Sequence, residues 1–259
     1  MEIAIGDPDA TWAKLNALRA DPTGLMATAG MAPDPWQVSL LREPADRTLI
    51  LCSRQAGKST VAAALALRVA LLEPRSPVLL LSPTLRQSGE LFRKVLDLYG
   101  AIRRPVPVAA ESALRLELAN GSRIISLPGT EGTVRGFSGV ALLIIDEAAR
   151  VADSLYYAVR PMLAVSRGRL VALSTPFGKR GWFHQSWQEG NWARVQITAQ
   201  QCPRITPEFL AEERKALGER WFRQEYCCSF EDTNDAVFSS EDIHACMSDE
   251  VTPLFGGLR

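Results

Sequence analysis

The sequence lacks an excess of charge of either sign. Its 259 residues contain 29 lysines and arginines against 29 aspartates and glutamates, so the formal net charge is zero. A strongly basic chain is attracted as a whole to nucleic acid or to an anionic membrane, and a neutral chain is not. Any contact with nucleic acid must therefore come from a local patch of basic residues.

The sequence also lacks long apolar runs and paired cysteines. No stretch reaches the ~18 consecutive apolar residues of a membrane span, and the N-terminus has no basic flank followed by an apolar run. The five cysteines form no C-x-x-C pair and are odd in number, which favours a reduced, cytosolic setting. Since 47% of the residues are apolar, we expect a globular protein with a large core, neither secreted nor inserted in a membrane.

Apolar runs alternate with helical patterns along most of the chain, which predicts an α/β fold with a mostly parallel sheet and helices on both faces. A hairpin of two antiparallel edge strands is also predicted, with its turn at Asn120-Gly121. The predicted strands are 47–53, 77–82, 140–146 and 169–174, with the hairpin at 113–128. The predicted helices are 58–73, 87–100 and a segment near 153–163.

Towards the C-terminus the pattern becomes polar and helical. Residues 206–226 have helical spacing, and Gly218 is predicted to divide them into two helices. We therefore assign residues 1–200 to the α/β core and 201–235 to a small helical subdomain. The last segment, 236–259, is polar and contains Gly and Pro, and is interpreted as a linker.

The segment CSRQAGKST, residues 52–60, is similar to a phosphate-binding loop without its first glycine. The pattern is G-x-x-x-x-G-K-[ST]; Gly57, Lys58 and Ser59 are present, but Cys52 stands at the first position. The tripeptide Gly57-Lys58-Ser59 alone is a weak indication of nucleotide binding. Its place between a predicted strand and a predicted helix predicts an anion site, because loop amides and the helix N-terminus direct positive charge to one spot. The nucleotide-binding residues predicted here are Ser53, Gln55, Ala56, Gly57, Lys58, Ser59 and Thr60.

A second segment, ALLIIDEAA at 141–149, ends an apolar strand in two carboxylates. Asp146 and Glu147 should lie at the C-terminal edge of the sheet, beside the loop if the two strands are neighbours. Asp146 is suited to bind Mg²⁺ together with the Ser59 hydroxyl, and Glu147 to orient and deprotonate a water that attacks a γ-phosphate. The alternative is that Asp146 only begins the following helix.

Two further motifs are less specific. In LSTPFG, residues 173–178, the hydroxyls of Ser174 and Thr175 could sense the γ-phosphate or its attacking water, or could simply cap a turn. Upstream, Trp36 could stack on an adenine while Gln37 pairs with its edge. Packing in the core is the alternative for this pair.

Together these segments resemble the large terminase subunit of tailed bacteriophages, whose N-terminal domain is the ATPase that packages DNA. The resemblance covers about residues 34–232. It rests on the Trp36-Gln37 pair and on the segments SRQAGKST, LLLSPTLRQS, LLIIDEA, LSTPFGKRGWF and FRQEYCCSF. The family lacks the first loop glycine and has an arginine where Arg54 stands. The resemblance implies that Arg54 is a nucleotide-responsive switch residue; a solvated loop arginine is the alternative.

The resemblance implies a P-loop NTPase of the ASCE type with a helical lid, which hydrolyses ATP with Mg²⁺ to move double-stranded DNA into a procapsid. The implied partners are double-stranded DNA, the portal protein, the small terminase subunit and further copies of the chain in a ring, expected to be a pentamer, with a monomer as the alternative for the isolated domain. The implied location is the cytoplasm of the infected bacterium and, transiently, the procapsid portal.

One arginine is a candidate for a finger that acts on the neighbouring subunit. Arg135 lies in GTEGTVRGFSG, residues 129–139, and matches an arginine that recurs at this place in the family. An ordinary exposed loop arginine is the alternative. The candidate DNA-contacting patches are Arg103-Arg104, Arg167 with Arg169, and Lys179-Arg180.

Members of the family continue into a metal-dependent nuclease domain. This chain ends before such a domain, so 236–259 is expected to lead towards it and nuclease activity is predicted to be absent here. Two other functions remain open: a helicase-type or other DNA-translocating P-loop ATPase, and a nucleotide-binding module without catalysis.

Overall fold

The computed structural model describes residues 8–129, 134, 136–232 and 245–246. Three short 3-10 helices, Ala148–Arg150, Arg160–Leu163 and Ala199–Gln201, accompany the longer elements. The α-helices are α1 (Pro8–Ala20), α2 (Gly24–Ala27), α3 (Pro35–Arg42), α4 (Lys58–Leu72), α5 (Leu85–Ala101), α6 (Asp153–Val159), α7 (Gly181–Gln188) and α8 (Pro207–Cys227). The strands are β1 (Arg47–Cys52), β2 (Pro77–Ser82), β3 (Val108–Ser112), β4 (Arg115–Leu118), β5 (Arg123–Pro128), β6 (Leu142–Asp146), β7 (Arg169–Ser174) and β8 (Ala193–Ile197).

The eight strands of the described residues form one sheet in the order β3-β4-β5-β2-β6-β7-β1-β8. In this spatial order, every neighbouring pair from β5 through β2, β6, β7 and β1 to β8 is parallel. This confirms the predicted mostly parallel sheet. The hairpin of β4 and β5 is antiparallel and turns at Asn120-Gly121, with Gly121 at a φ of 82°. The prediction that both hairpin strands are edge strands is wrong, because β5 pairs with β2 and an additional antiparallel strand, β3, forms the edge.

Helices cover both faces of this sheet, as predicted. Neighbouring residues of a strand point to opposite sides, and because the central strands are apolar at successive positions, both faces must be covered. On one face, Ile50, Leu80 and Ile144 pack in a core with the Ala-rich helix α4 and with α1, α2, α3 and α5. On the other face, Leu49 and Ile145 pack against α6 and α7. Within the described ranges, no helix is long and apolar enough to cross a membrane.

A third, small core lies at the C-terminal side of the sheet. Leu210, Phe222 and Tyr226 of α8 pack together with Ala199. Gly218 has a φ of 75° inside α8, so the predicted division into two helical segments is confirmed. The assignment of 201–235 to a lid subdomain stays a prediction, and nearly all of the predicted linker 236–259 lies outside the described residues.

Gly168 directly precedes β7, and its backbone passes close to Val140, just before β6. A Cβ atom at this position would lie 1.9 Å from the Val140 carbonyl oxygen. We therefore expect Gly168→Ala to lower the free energy of unfolding by about 1–3 kcal/mol, since a backbone atom must move. Gly89, inside α5, has no atom within 4 Å of such a Cβ, so Gly89→Ala should raise it by about 0.5–1 kcal/mol. Urea unfolding measures both; equal stabilities would contradict the close approach.

Candidate nucleotide-binding site

The backbone of the loop explains why its first glycine is dispensable. Cys52 is the last residue of β1 and is fully buried in the core, where an extended backbone accepts any side chain. Left-handed backbone angles occur only later in the loop, at Gln55 with a φ of 60° and at Gly57 with a φ of 86°. The loop therefore turns at Gln55 and Gly57, and Cys52 serves as a core residue.

Gly57 is needed for a second reason, its close approach to α3. A Cβ atom on Gly57 would lie 2.7 Å from Gln37 Nε2. This amide is not free to move away, because Gln37 Oε1 accepts a hydrogen bond from the Asp34 backbone N–H at 2.8 Å and Nε2 donates to the Gly57 carbonyl at 3.4 Å. Gln37 thus ties the start of α3 to the phosphate loop.

Most of the predicted site residues meet around one cavity of about 330 Å³ at the C-terminal edge of the sheet. Loop residues 54–60 line it together with Glu147 and Thr175. Sequence reasoning did not assign four other lining residues to the site: Gln87, Lys94, Arg150 and Glu225. Gln87, Arg150 and Glu225 lie in or next to segments that carry the family resemblance, which is the one signal that could have found them.

Lys58 reaches from the start of α4 towards the two carboxylates. Its side chain is 9% exposed, and Nζ lies 3.4 Å from the Ser53 carbonyl and 4.0 Å from Glu147 Oε1. Beside it, Ser59 Oγ donates to Asp146 Oδ2 at 3.5 Å. The loop strand and the acidic strand are not direct neighbours, since β7 lies between β1 and β6. The side chains nevertheless converge, because all three strands are parallel and end at the same edge.

The carboxyl of Asp146 lies in an environment that favours a cation. Burial is the main cause that raises its pKa to about 6; the neighbouring Glu147 carboxylate acts in the same direction, and Lys58 opposes both. A divalent cation would offset the cost of this buried charge. Carboxylate and hydroxyl oxygens are ligands that Mg²⁺ accepts, so Asp146 and Ser59 fit a Mg²⁺ ion.

The residues after β7 contact the turn that follows the acidic pair. Ser174 Oγ accepts a hydrogen bond from the Ala149 backbone N–H at 3.1 Å, so Ser174 holds this turn in place. Thr175 Oγ accepts from Arg150 Nη1 at 3.1 Å and lines the cavity. Of the two hydroxyls, only that of Thr175 therefore belongs to a residue that faces the cavity.

The predicted adenine-binding pair is divided between two places. Gln37 lines a second cavity of about 430 Å³, next to Gly57 and Thr60, which Arg204 also lines. Arg204 is held there by two hydrogen bonds to Asp34, at 2.9 and 2.6 Å. Trp36 instead lines a separate groove with Thr48 and Val195 and does not face the loop, because successive residues of a helix point about 100° apart.

Of the two predicted arginines, Arg54 lies at the cavity that the loop lines. The Arg54 side chain lines the cavity of about 330 Å³ and is 69% exposed, and its Nε lies 3.6 Å from Glu225 Oε2. Arg135 lies outside the described residues, so its role as a finger stays a prediction.

The phosphate loop lies between a strand and a helix, and the acidic pair ends a strand that is separated from the loop strand by one further strand. These two features define a P-loop NTPase of the ASCE type. A family model described as "Terminase large subunit, T4likevirus-type, N-terminal" matches residues 49–245. The chain belongs to this family of large terminase subunits.

Curated relatives agree with this assignment. The chain is 28% identical over 240 residues to the large terminase subunit of Escherichia phage T5, covering 86% of this chain and 53% of that protein. It is 26% identical over 254 residues to that of Thermus phage G20c, covering 83% and 52%. The chain thus spans about half the length of the curated relatives it matches.

Solved structures show the same fold. The ATPase domain of the large terminase of Thermus phage P74-26 matches with a TM-score of 0.70 at 23% identity, covering 79% of this chain and 96% of that one. The large terminase of HK97 matches with a TM-score of 0.65 at 15% identity, covering 80% and 55%. The large terminase of a thermophilic bacteriophage, in complex with ADP, matches with a TM-score of 0.62 at 15% identity, covering 76% and 53%.

Proposed function

We propose that this chain is the ATP-hydrolysing part of a viral DNA-packaging motor, using ATP and Mg²⁺ to move double-stranded DNA into a procapsid. The observation that carries the proposal is the convergence of Lys58, Ser59, Asp146 and Glu147 on one edge of the sheet. Two relatives support it: the P74-26 domain is an ATPase domain, and the terminase of the thermophilic bacteriophage is known in complexes with ADP and with ATP-gamma-S.

The site residues divide the work of hydrolysis among them. The loop amides and Lys58 bind the phosphates, and Ser59 and Asp146 would hold a Mg²⁺ ion, which would supply positive charge to offset that of the phosphates. Glu147 accepts the proton of the attacking water, because its carboxylate lines the cavity next to the phosphate loop. The second cavity, lined by Gln37 and Arg204, shares Gly57 and Thr60 with the first and is the proposed space for the adenine base.

Phosphate release from ATP by the full chain tests this function. We expect turnover with Mg²⁺ and none after chelation with EDTA. A chain that binds ATP but releases no phosphate would favour a nucleotide-binding module without catalysis. ATP-dependent separation of duplex strands would favour a helicase-type ATPase instead.

The larger assembly is proposed by analogy with the family. We infer a ring of this chain, a pentamer, that acts with the portal protein and the small terminase subunit in the cytoplasm of the infected bacterium. Arg135 is the candidate finger from the neighbouring subunit. Mixing Arg135→Ala subunits with Lys58→Ala subunits tests it: a finger that acts between subunits restores part of the turnover, and no restoration would count against it. Absence of nuclease activity in this chain stays a prediction.

The proposed DNA contact is weak, because several basic residues of the three candidate patches already have acidic partners. Arg169 pairs with Glu73 at 2.5 Å, Arg104 with Glu111 at 3.4 Å and Lys179 with Asp232 at 3.2 Å. Fewer free cations mean fewer counterions released from DNA on binding. Filter binding to a duplex at increasing salt should show low affinity that falls further with salt; tight binding that is insensitive to salt would contradict this.

A further inference from the structure

Arg150 contacts more parts of the candidate site than its position in the sequence suggests. It ends the 3-10 helix that follows the acidic pair. Its Nη1 donates to Glu147 Oε2 and to Thr175 Oγ, both at 3.1 Å, and Nη2 lies 3.9 Å from Glu225 Oε1. The guanidinium carbon also lies 4.7 Å from the centre of the Phe177 ring. Contacts with three different segments fix this side chain in one orientation.

The contact with Glu147 is the one that bears on hydrolysis. In this structure the Glu147 carboxylate lies between two cations, with Oε2 on Arg150 and Oε1 4.0 Å from Lys58. When a triphosphate is bound, the loop lysine turns to the phosphates. Arg150 is then the remaining cation in contact with Glu147, and it binds the Oε2 oxygen.

Glu225 connects this pair to helix α8. Its side chain is 10% exposed and lies between Arg150 and Arg54, at 3.9 and 3.6 Å. The same residue is attached to the phosphate loop through its backbone, because its carbonyl accepts a hydrogen bond from the Arg54 N–H at 3.2 Å. Movement of this end of α8 therefore moves a carboxylate that shares Arg150 with Glu147.

We propose that Arg150 is a positioning residue for Glu147, and that Glu225 shares it, so that the orientation of the general base depends on the position of α8. The inference rests on the proposed hydrolysis of ATP. A guanidinium is suited to this role because its fork of five N–H donors binds two carboxylates at once and stays charged, whereas a lysine offers one point charge.

The test compares ATP turnover of the full chain with that of Arg150→Ala, Arg150→Lys and a matched control, Arg93→Ala. Arg93 is also three residues after a glutamate, and its Nη1 lies at the same 3.1 Å from Glu90, but this pair is exposed on α5. We expect Arg150→Ala to lower kcat about 10- to 100-fold, with KM changed far less, because a misplaced base affects the chemical step. Arg150→Lys should recover part of kcat, and Arg93→Ala should behave as wild type.

Two further measurements separate positioning from a loss of folding. Millimolar guanidinium should restore turnover to Arg150→Ala and should not stimulate the wild type. Urea unfolding should show that Arg150→Ala and Arg150→Lys are both folded. Glu225→Gln should change kcat in the wild type and have no additional effect in Arg150→Ala, since the two residues act through one contact.

Three outcomes overturn the inference, each in a recognisable way. If Arg150→Ala retains the kcat of Arg93→Ala, Arg150 does not position the base. If KM rises while kcat is unchanged, Arg150 binds ATP directly instead. If the effects of Glu225→Gln and Arg150→Ala simply add, the two residues do not share one contact. A wild-type chain without Mg²⁺-dependent turnover would instead overturn the proposed function itself, and this inference with it.

Discussion

Glu147→Gln should lower ATP turnover by about 10²- to 10⁴-fold, the usual contribution of a general base. The glutamine keeps the size of the side chain and can still accept from Arg150, but its amide no longer takes a proton from water. ATP affinity should change little, because the phosphates are bound by the loop amides and Lys58. The combination of lost turnover and retained binding identifies the base.

Single-turnover phosphate release and binding of a fluorescent ATP analogue measure the two quantities separately. Glu90→Gln is the matched control, since Glu90 also pairs with an arginine three residues along a helix but is exposed on α5. Turnover of Glu147→Gln within a few fold of the control would show that another group activates the water. Loss of binding in Glu147→Gln would show that this carboxylate has a structural role.

Lys58→Ala should lose both binding and turnover. A hydrogen bond to a charged group contributes ~1.5–3 kcal/mol, so loss of the ammonium should weaken ATP binding by about 10- to 150-fold. Turnover should fall further, because the same ammonium stabilises charge that develops on the phosphate oxygens in the transition state.

Lys14→Ala is the control for this variant, because the Lys14 ammonium also donates to a backbone carbonyl, that of Ile102 at 3.0 Å, yet lies outside the cavity. Isothermal titration with ATP at saturating Mg²⁺ compares the two. Equal affinity in Lys58→Ala and Lys14→Ala would show that the loop does not bind the phosphates.

The sequence was most informative where strands are buried on both faces. β1, β2, β6 and β7 are nearly continuous apolar runs, and their predicted bounds are close to those observed. β8 was not predicted, because its sequence ARVQI is half polar and most of the strand is exposed at the sheet edge. β3 was missed for the same reason, since four of its five residues are exposed.

The residues missed at the site were missed for a different reason. The phosphate loop and the acidic pair are local motifs, whose spacing along the chain carries the chemistry. Glu225 is far from both in sequence and comes to the cavity only through the packing of α8. Arg150 has an ordinary position after the acidic pair, and its role depends on contacts with Thr175 and Glu225 that no periodicity reveals. Trp36 shows the converse, since a side chain next to Gln37 in sequence faces a different groove.

The most direct measurement is a crystal structure of this chain with Mg²⁺ and a non-hydrolysable ATP analogue. We expect the terminal phosphate within hydrogen-bonding distance of Lys58 Nζ, the metal ion in contact with the Ser59 hydroxyl and next to Asp146, and Glu147 facing the side from which water attacks. A nucleotide bound away from residues 52–60, or a metal ion that contacts neither Ser59 nor Asp146, would contradict the account.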